Sequence, residues 1–490
     1  MIINKQEIIT NSAYVYIGDI ASKLVLFILN AVAARNLGVI GYGLYIYGIN
    51  LGLLLINFID FGTNNFIFKK ISEEKGNSAL IRQILGFEAI LSLVFTAALL
   101  VFISFTEDSL YARGIFIILF ISLLFENLAN VFRSVLRAVG RYGGDSFLNV
   151  LCSCLRLIFG LALYYLTYSV YGFSIGITIS TLLILLVSWH MVWKIYGGKL
   201  RILSNGSLNM LYTFKSCIVF AIPIIIKGIY IRIDSVLIKA FVSSVELSLY
   251  NSVTKLLFMQ YFLPNGLINV IFPILTRLYY ENDIAGANKF FNRVFTVFTI
   301  FFNFIQMVQY VFAKDILRII YGSEFSQAGI IYKIVALSFV FTSLSFLISF
   351  LFMSNNKTNL LNRYYCIGLA AKLVLVVPVT LKYGAVGMGA AFLICELIQF
   401  AAFLYGAFKN NIEFKRSYLL VLMSVLILDA AIILCKAAVL QVILLMAGHL
   451  IISRLFKLEL FRYFKEFIIT SPTHIGHMRQ AIKKYLHRGD

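Results

Sequence analysis

The sequence predicts an all-α integral membrane protein with about fourteen transmembrane helices. They form two parallel-repeat six-helix lobes around a central cavity, plus an accessory C-terminal helix pair. Three observations predict this. The 490-residue chain is 61% hydrophobic and only 13% charged, with a mean hydropathy of +0.90, which excludes a water-soluble fold. Apolar segments of about 20 residues, each long enough to cross about 30 Å of hydrocarbon, recur from the first residues to Phe456. Short motifs also repeat six segments apart.

Taken in order, the first lobe places spans near 11–34, 40–65, 80–105, 111–137, 146–168 and 171–196. The Ala31-Val32-Ala33 stretch imitates a signal-peptidase site. Asp19 and Lys23 interrupt the apolar run before it, however, so it reads as a retained first span. A polar stretch follows, and six more spans lie near 214–240, 248–275, 290–313, 326–352, 358–381 and 383–408. A last pair occupies 417–436 and 438–456. The expected organisation is an N-lobe at 1–197, a cytoplasmic linker at 198–213 and a C-lobe at 214–409. Accessory spans fill 410–456, and a basic cytoplasmic tail occupies 457–490, suited to anionic inner-leaflet lipid.

Charge sets the orientation. One set of alternate loops, with the tail, collects 28 Lys and Arg residues against seven in the other set, which predicts that both termini are cytoplasmic. The net charge of +20 punctuates hydrophobic segments and does not gather on a soluble patch, which argues against nucleic acid as a partner. All six cysteines fall in apolar segments, so neither a disulfide framework nor a metal site is expected.

The repeat is visible in Gly62-Thr63-Asn64-Asn65-Phe66-Ile67-Phe68 and Gly266-Leu267-Ile268-Asn269-Val270-Ile271-Phe272, which share G-x-x-N-x-I-F. Tyr171-Gly172 and Tyr383-Gly384 open the sixth and twelfth spans in the same way. An offset of six spans preserves direction across the membrane, so the halves are parallel repeats suited to alternating access.

Seven cations lie inside spans, each costing about 2.5–3.5 kcal/mol at a helix centre unless it faces water, a partner or a ligand. Lys239 and Lys255, near span ends, can snorkel. The remaining five, Lys23, Arg156, Lys227, Arg232 and Lys372, are the candidates for a cationic substrate-binding cavity. Intramembrane carboxylates at Asp19, Asp60, Glu126, Asp234 and Glu396 are candidates for ion coupling, to H+ or Na+. Polar residues form helical stripes: Asp19, Lys23 and Asn30; Asn50, Asn57 and Asn64; Asn149, Ser153 and Arg156. Their bland reading is interhelical hydrogen bonding, which is also the reading for a Ser/Thr stripe from Ser338 to Ser349 and for close packing at Gly48 and Gly52. Pro223 and Gly18 mark a potential bend in the leading helix of each lobe.

Several motifs carry a resemblance: Ala34-Arg35-Asn36-Leu37-Gly38, Tyr42-Gly43, Asp60-Phe61-Gly62, Leu136-Arg137-Ala138-Val139-Gly140-Arg141, and Tyr383-Gly384-Ala385-Val386-Gly387-Met388-Gly389-Ala390. In these the chain resembles the polysaccharide transporter family of lipid-linked oligosaccharide and O-antigen flippases, within the multidrug/oligosaccharidyl-lipid/polysaccharide exporter superfamily. The resemblance implies movement of an undecaprenyl-pyrophosphate-linked repeat unit from the inner to the outer leaflet of the cell membrane. It also implies a polysaccharide polymerase and chain-length machinery as partners. No nucleotide-binding loop is present, since Gly198-Lys199 lacks the upstream Gly and the following hydroxyl, and no cofactor or catalytic residue is expected. The alternatives are a lipid II flippase and a multidrug exporter of the same superfamily. The second would normally bind cationic drugs, which seven intramembrane cations oppose.

Overall fold

The computed structural model describes residues 5–73, 78–196, 210–355, 357–410, 416–435 and 437–455. The tail at 457–490 and most of the linker lie outside the described residues. Among the described residues all regular structure is helical: α1 (Lys5–Asp60), α2 (Thr63–Glu73), α3 (Ser78–Thr106), α4 (Leu110–Ala138), α5 (Tyr142–Thr167) and α6 (Val170–Ile195). There follow α7 (Met210–Phe241), α8 (Ser244–Gln260), α9 (Phe262–Tyr280), α10 (Ile284–Val311), α11 (Ala313–Tyr321), a 3-10 turn (Ser323–Ala328) and α12 (Gly329–Ala336). The chain ends with α13 (Phe339–Ser354), α14 (Thr358–Lys409), α15 (Arg416–Leu434) and α16 (Ala438–Leu455).

Fourteen membrane spans map onto these helices. Nine helical segments among the described residues are long and apolar enough to cross a membrane, two of them hold two spans each, and the remaining three spans fall on the shorter apolar stretches Met210–Ile222, Leu420–Leu434 and Val439–Ile452. Helix α1 runs through the first and second spans, and Gly38 breaks it at φ +66. Helix α14 runs through the eleventh and twelfth, with a break at Gly384 of φ +61. Both are left-handed conformations that cost an L side chain about 1–2 kcal/mol, so glycine supplies the corner where the chain reverses.

Some details differ from the sequence reading. The second span stops at Phe61-Gly62, both with positive φ, and resumes as α2. The eighth breaks at Tyr261 between α8 and α9. Helix α11, expected as loop, is amphipathic: Leu317 and Tyr321 are buried, while Asp315 and Arg318 pair on its exposed side. Helix α7 runs unbroken through Pro223. A Cβ at Gly18 would stand 2.7 Å from Ser146 Cβ, so that glycine lets α1 approach α5. Gly48 and Gly52 likewise seat α1 on Leu119 and Leu123 of α4.

The chain divides into two compact units. The first comprises Met1–Gln260, Lys314–Val335 and Leu369–Phe392. In it α1 packs on α4, α5, α7 and α8, and α6 packs on α4 and α5. An apolar core joins Ile67 and Ile71 of α2, Ile81 and Ile84 of α3, and Val131 and Val135 of α4. The second comprises Tyr261–Ala313, Ala336–Gly368 and Leu393–Asp490. There α10 packs against α9, α13, α15 and α16, and the accessory pair is seated through Ile300, Val421, Val425 and Ile452.

Candidate substrate site

Three helices of the first unit build a polar cavity. Helix α1 contributes Asn50, α7 contributes Arg232, Asp234 and Ser235, and α8 contributes Tyr250, Asn251, Thr254 and Lys255. The pocket is small, with a volume of about 40 Å³. Its wall is ordered by a chain of hydrogen bonds, in which Asn50 Nδ2 donates to Ser235 Oγ at 3.1 Å and to Asn251 Oδ1 at 3.2 Å. Ser235 Oγ also donates to Asn251 Oδ1 at 3.2 Å. The spacing explains the shared face: Asn251, Thr254 and Lys255 stand at i, i+3 and i+4 on α8, and Ile231, Arg232 and Ser235 crowd one side of α7.

The two cations of this cavity differ from the other intramembrane cations. Among the described residues, neither Arg232 nor Lys255 has a carboxylate within ion-pair distance, and Arg232 Nε is buried with no hydrogen-bond partner. Lys372, by contrast, is buried and lies 3.0 Å from Asp234 Oδ2, which also accepts from Tyr250 OH at 2.9 Å. Arg156 forms a 2.7 Å pair with Glu126. Lys239 pairs with Glu107 at 3.2 Å. A lone guanidinium in a low-dielectric wall is costly, and an anionic ligand is what would compensate it.

The residues singled out from sequence therefore separate. Arg232 lines the cavity, and Lys372 reaches its rim through Asp234. Arg156 is committed to Glu126. Lys23 is exposed on α1, and the side chain of Lys227 lies outside the described residues. Lys255, read as a snorkelling residue, lines the cavity instead, one turn beyond Asn251 on the same face of α8. Its i+4 relation to Asn251 was the available signal.

The carboxylates separate as well. Glu126 and Asp234 are neutralised by their cations. Asp19 accepts from Asn149 Nδ2 at 3.2 Å, beside a 2.7 Å contact between Ser22 and Ser153, so the stripes of α1 and α5 face each other as hydrogen-bonding seams. Glu396, in the second unit, accepts from Thr342 at 2.7 Å. Asp60 accepts from Asn64 Nδ2 at 2.6 Å and from Thr63 Oγ1 at 3.2 Å. Thr63 also meets Glu88, a fully buried carboxyl that Asn127 holds at 2.7 Å. Glu88 was missed because one Glu in an apolar span has no spacing partner on its own helix.

At the other end of the unit, connecting segments are tied together. Arg35 donates to the carbonyls of Ile319 and Ile320, and Val39 N donates to Glu324 at 3.1 Å. Ala385 N, beside the break at Gly384, donates to Glu246. Alternation of the spans places all these segments in one set of loops, and the hydrogen bonds tie them in two groups, Arg35 and Val39 to residues 319–324 and Glu246 to Ala385.

Comparison with known proteins agrees with the architecture. No curated protein matches the chain by sequence. The fold is similar to the lipid II flippase MurJ in its inward closed conformation, with a TM-score of 0.71 at 17% identity, covering 91% of this chain and 99% of that one. It is also similar to an inward-facing multidrug resistance MATE family transporter of the MOP superfamily, with a TM-score of 0.56 at 14% identity, covering 80% and 94%. The family described as polysaccharide biosynthesis protein matches residues 8–279, more than half the chain and all the helices that build the cavity. The chain thus belongs to the family described as polysaccharide biosynthesis protein.

Proposed function

We propose that this chain is a flippase that carries an undecaprenyl-pyrophosphate-linked oligosaccharide from the inner to the outer leaflet by alternating access, coupled to a gradient of H+ or Na+. One observation carries the reading: Arg232 and Lys255 share a polar cavity with no carboxylate paired to either among the described residues. A pyrophosphate is the substrate group whose charge would repay their burial, while the amides and hydroxyls of Asn50, Asn251 and Thr254 suit sugar hydroxyls. No step requires bond making, so transport and not catalysis is the activity.

The same reading uses lobes at 1–197 and 214–409, cytoplasmic termini in the cell membrane, and the accessory pair at 410–456. Within the N-lobe, Asp60 with the buried Glu88 is the coupling candidate; like Asp19, the pair has no cation within ion-pair distance among the described residues. The test is charge reversal. Arg232→Glu and Lys255→Glu should each abolish surface glycan while the protein remains in the membrane at its normal level. Normal glycan in both would refute the assignment. Rescue of peptidoglycan synthesis in place of surface glycan would identify lipid II as the cargo.

A further inference from the structure

The second unit holds a buried titratable cluster where the accessory pair meets α10. Asp429 of α15 accepts from Asn303 Nδ2 of α10 at 2.7 Å, with Gln306 Nε2 at 3.5 Å. His449 of α16 places Nε2 2.8 Å from Asn303 Oδ1 and Nδ1 2.8 Å from the carbonyl of Leu445. All four side chains are buried, and the seam around them is apolar: Ile300, Met307, Ile432 and Leu445.

Counting protons makes the cluster informative. The Leu445 carbonyl can only accept, so Nδ1 must carry a hydrogen. If the Asn303 amide is oriented as described, its oxygen faces Nε2, which must also carry one, making an imidazolium opposite an ionised Asp429. If the amide is turned over, its NH2 donates to Nε2 and its oxygen faces Asp429, which must then be a carboxylic acid. Both orientations hold one proton more than a neutral imidazole and a carboxylate. Without that proton, one pair of acceptors is forced together at 2.7 or 2.8 Å, and Asp429 becomes an unneutralised charge whose Oδ1 already lacks a partner.

We propose that Asp429, Asn303 and His449 form a proton-binding site that fastens α16 to α10, and that release of its proton frees the accessory pair. Among the described residues no hydrogen bond or ion pair to Asp429 or His449 supplies a second proton. Helix α10 presents the amides of Asn303 and Gln306 and, two turns on, Tyr310; α13 donates the Val340 N–H to Gln306 Oε1 at 3.0 Å. The other cations of these helices, Lys289, Arg293, Arg416 and Arg454, stand toward the helix ends. The proposal does not depend on the cargo, and it concerns a site separate from Asp60 and Glu88.

The experiment uses the full chain in lipid nanodiscs at neutral pH. Ring-nitrogen NMR of labelled histidine and isotope-edited infrared spectroscopy of labelled aspartate should show either an imidazolium lost in His449→Gln or a carboxylic acid lost in Asp429→Asn. A neutral His449 together with an ionised Asp429 would overturn the site. Hydrogen exchange of α16, corrected for the intrinsic rate, should rise on moving to alkaline pH in the wild type. It should be independent of pH in His449→Gln, whose amide can still donate to Asn303. An alkaline rise that persists in that folded variant would overturn the link to docking.

Discussion

Two cations on adjacent helices, Arg232 and Lys255, face one cavity with no carboxylate paired to them among the described residues, whereas Lys372 and Arg156 are each paired. The two kinds of site should respond differently to substitution. On the proposed function, Arg232→Gln and Lys255→Gln would each remove one charge-assisted bond to the cargo, worth about 1.5–3 kcal/mol. Flipping of a fluorescent lipid-linked sugar in proteoliposomes should fall roughly tenfold to a hundredfold, with thermal unfolding unchanged. Lys372→Met should instead destabilise the fold by about 3–5 kcal/mol, because it leaves Asp234 as a buried bare charge. Adding Asp234→Asn should recover much of that loss, and a double-mutant cycle on the melting transition measures it. Sequence could find these charges but not sort them. The cost of burying Arg156 and Arg232 is the same on paper, and only the position of Glu126 on a neighbouring helix separates them.

At the scale of the element, Gly384 turns α14 back on itself at φ +61, and a Cβ there would meet the Glu246 carboxylate that caps Ala385 N. Gly384→Val should therefore lose activity twice over, through backbone strain of about 1–2 kcal/mol and through displacement of Glu246. Glu246→Gln should be milder, since its amide oxygen can still accept; comparing transport by the two separates strain from capping. The helices themselves were legible, because a span of about 20 apolar residues announces itself. Some of the breaks were not. Tyr261 interrupts the eighth span three residues before Pro264, which has no N–H to donate to the Gln260 carbonyl, and α11 hides because one apolar face of nine residues is too short to resemble a span. The Tyr171-Gly172 and Tyr383-Gly384 echo did locate real boundaries: the first lies at the start of α6, the second at the break in α14.

At the scale of the molecule, the count of fourteen spans and the alternation of basic loops predict that Arg35, Lys314 and Lys382 lie on the outer face. Single cysteines placed at these positions in a cysteine-free background should react with an impermeant maleimide in intact cells, and a cysteine at Arg141 should not. The reverse pattern would invert the topology. Hydropathy carried the helix count at this level. What it could not carry is which segments would share a unit, since that depends on pairings over hundreds of residues, such as Asn50 with Asn251 or Asp234 with Lys372.

That last pairing has a consequence for biogenesis. Asp234 enters the translocon with α7, well before the eleventh span delivers Lys372 from the ribosome. In the interval its carboxyl has Tyr250 as its described partner, on the helix inserted immediately afterwards. A nascent chain arrested short of the eleventh span should be held by the insertase or degraded, and one extended just past it should be released. Pulse-chase of such truncations would time the moment at which this protein becomes able to leave its assembly machinery.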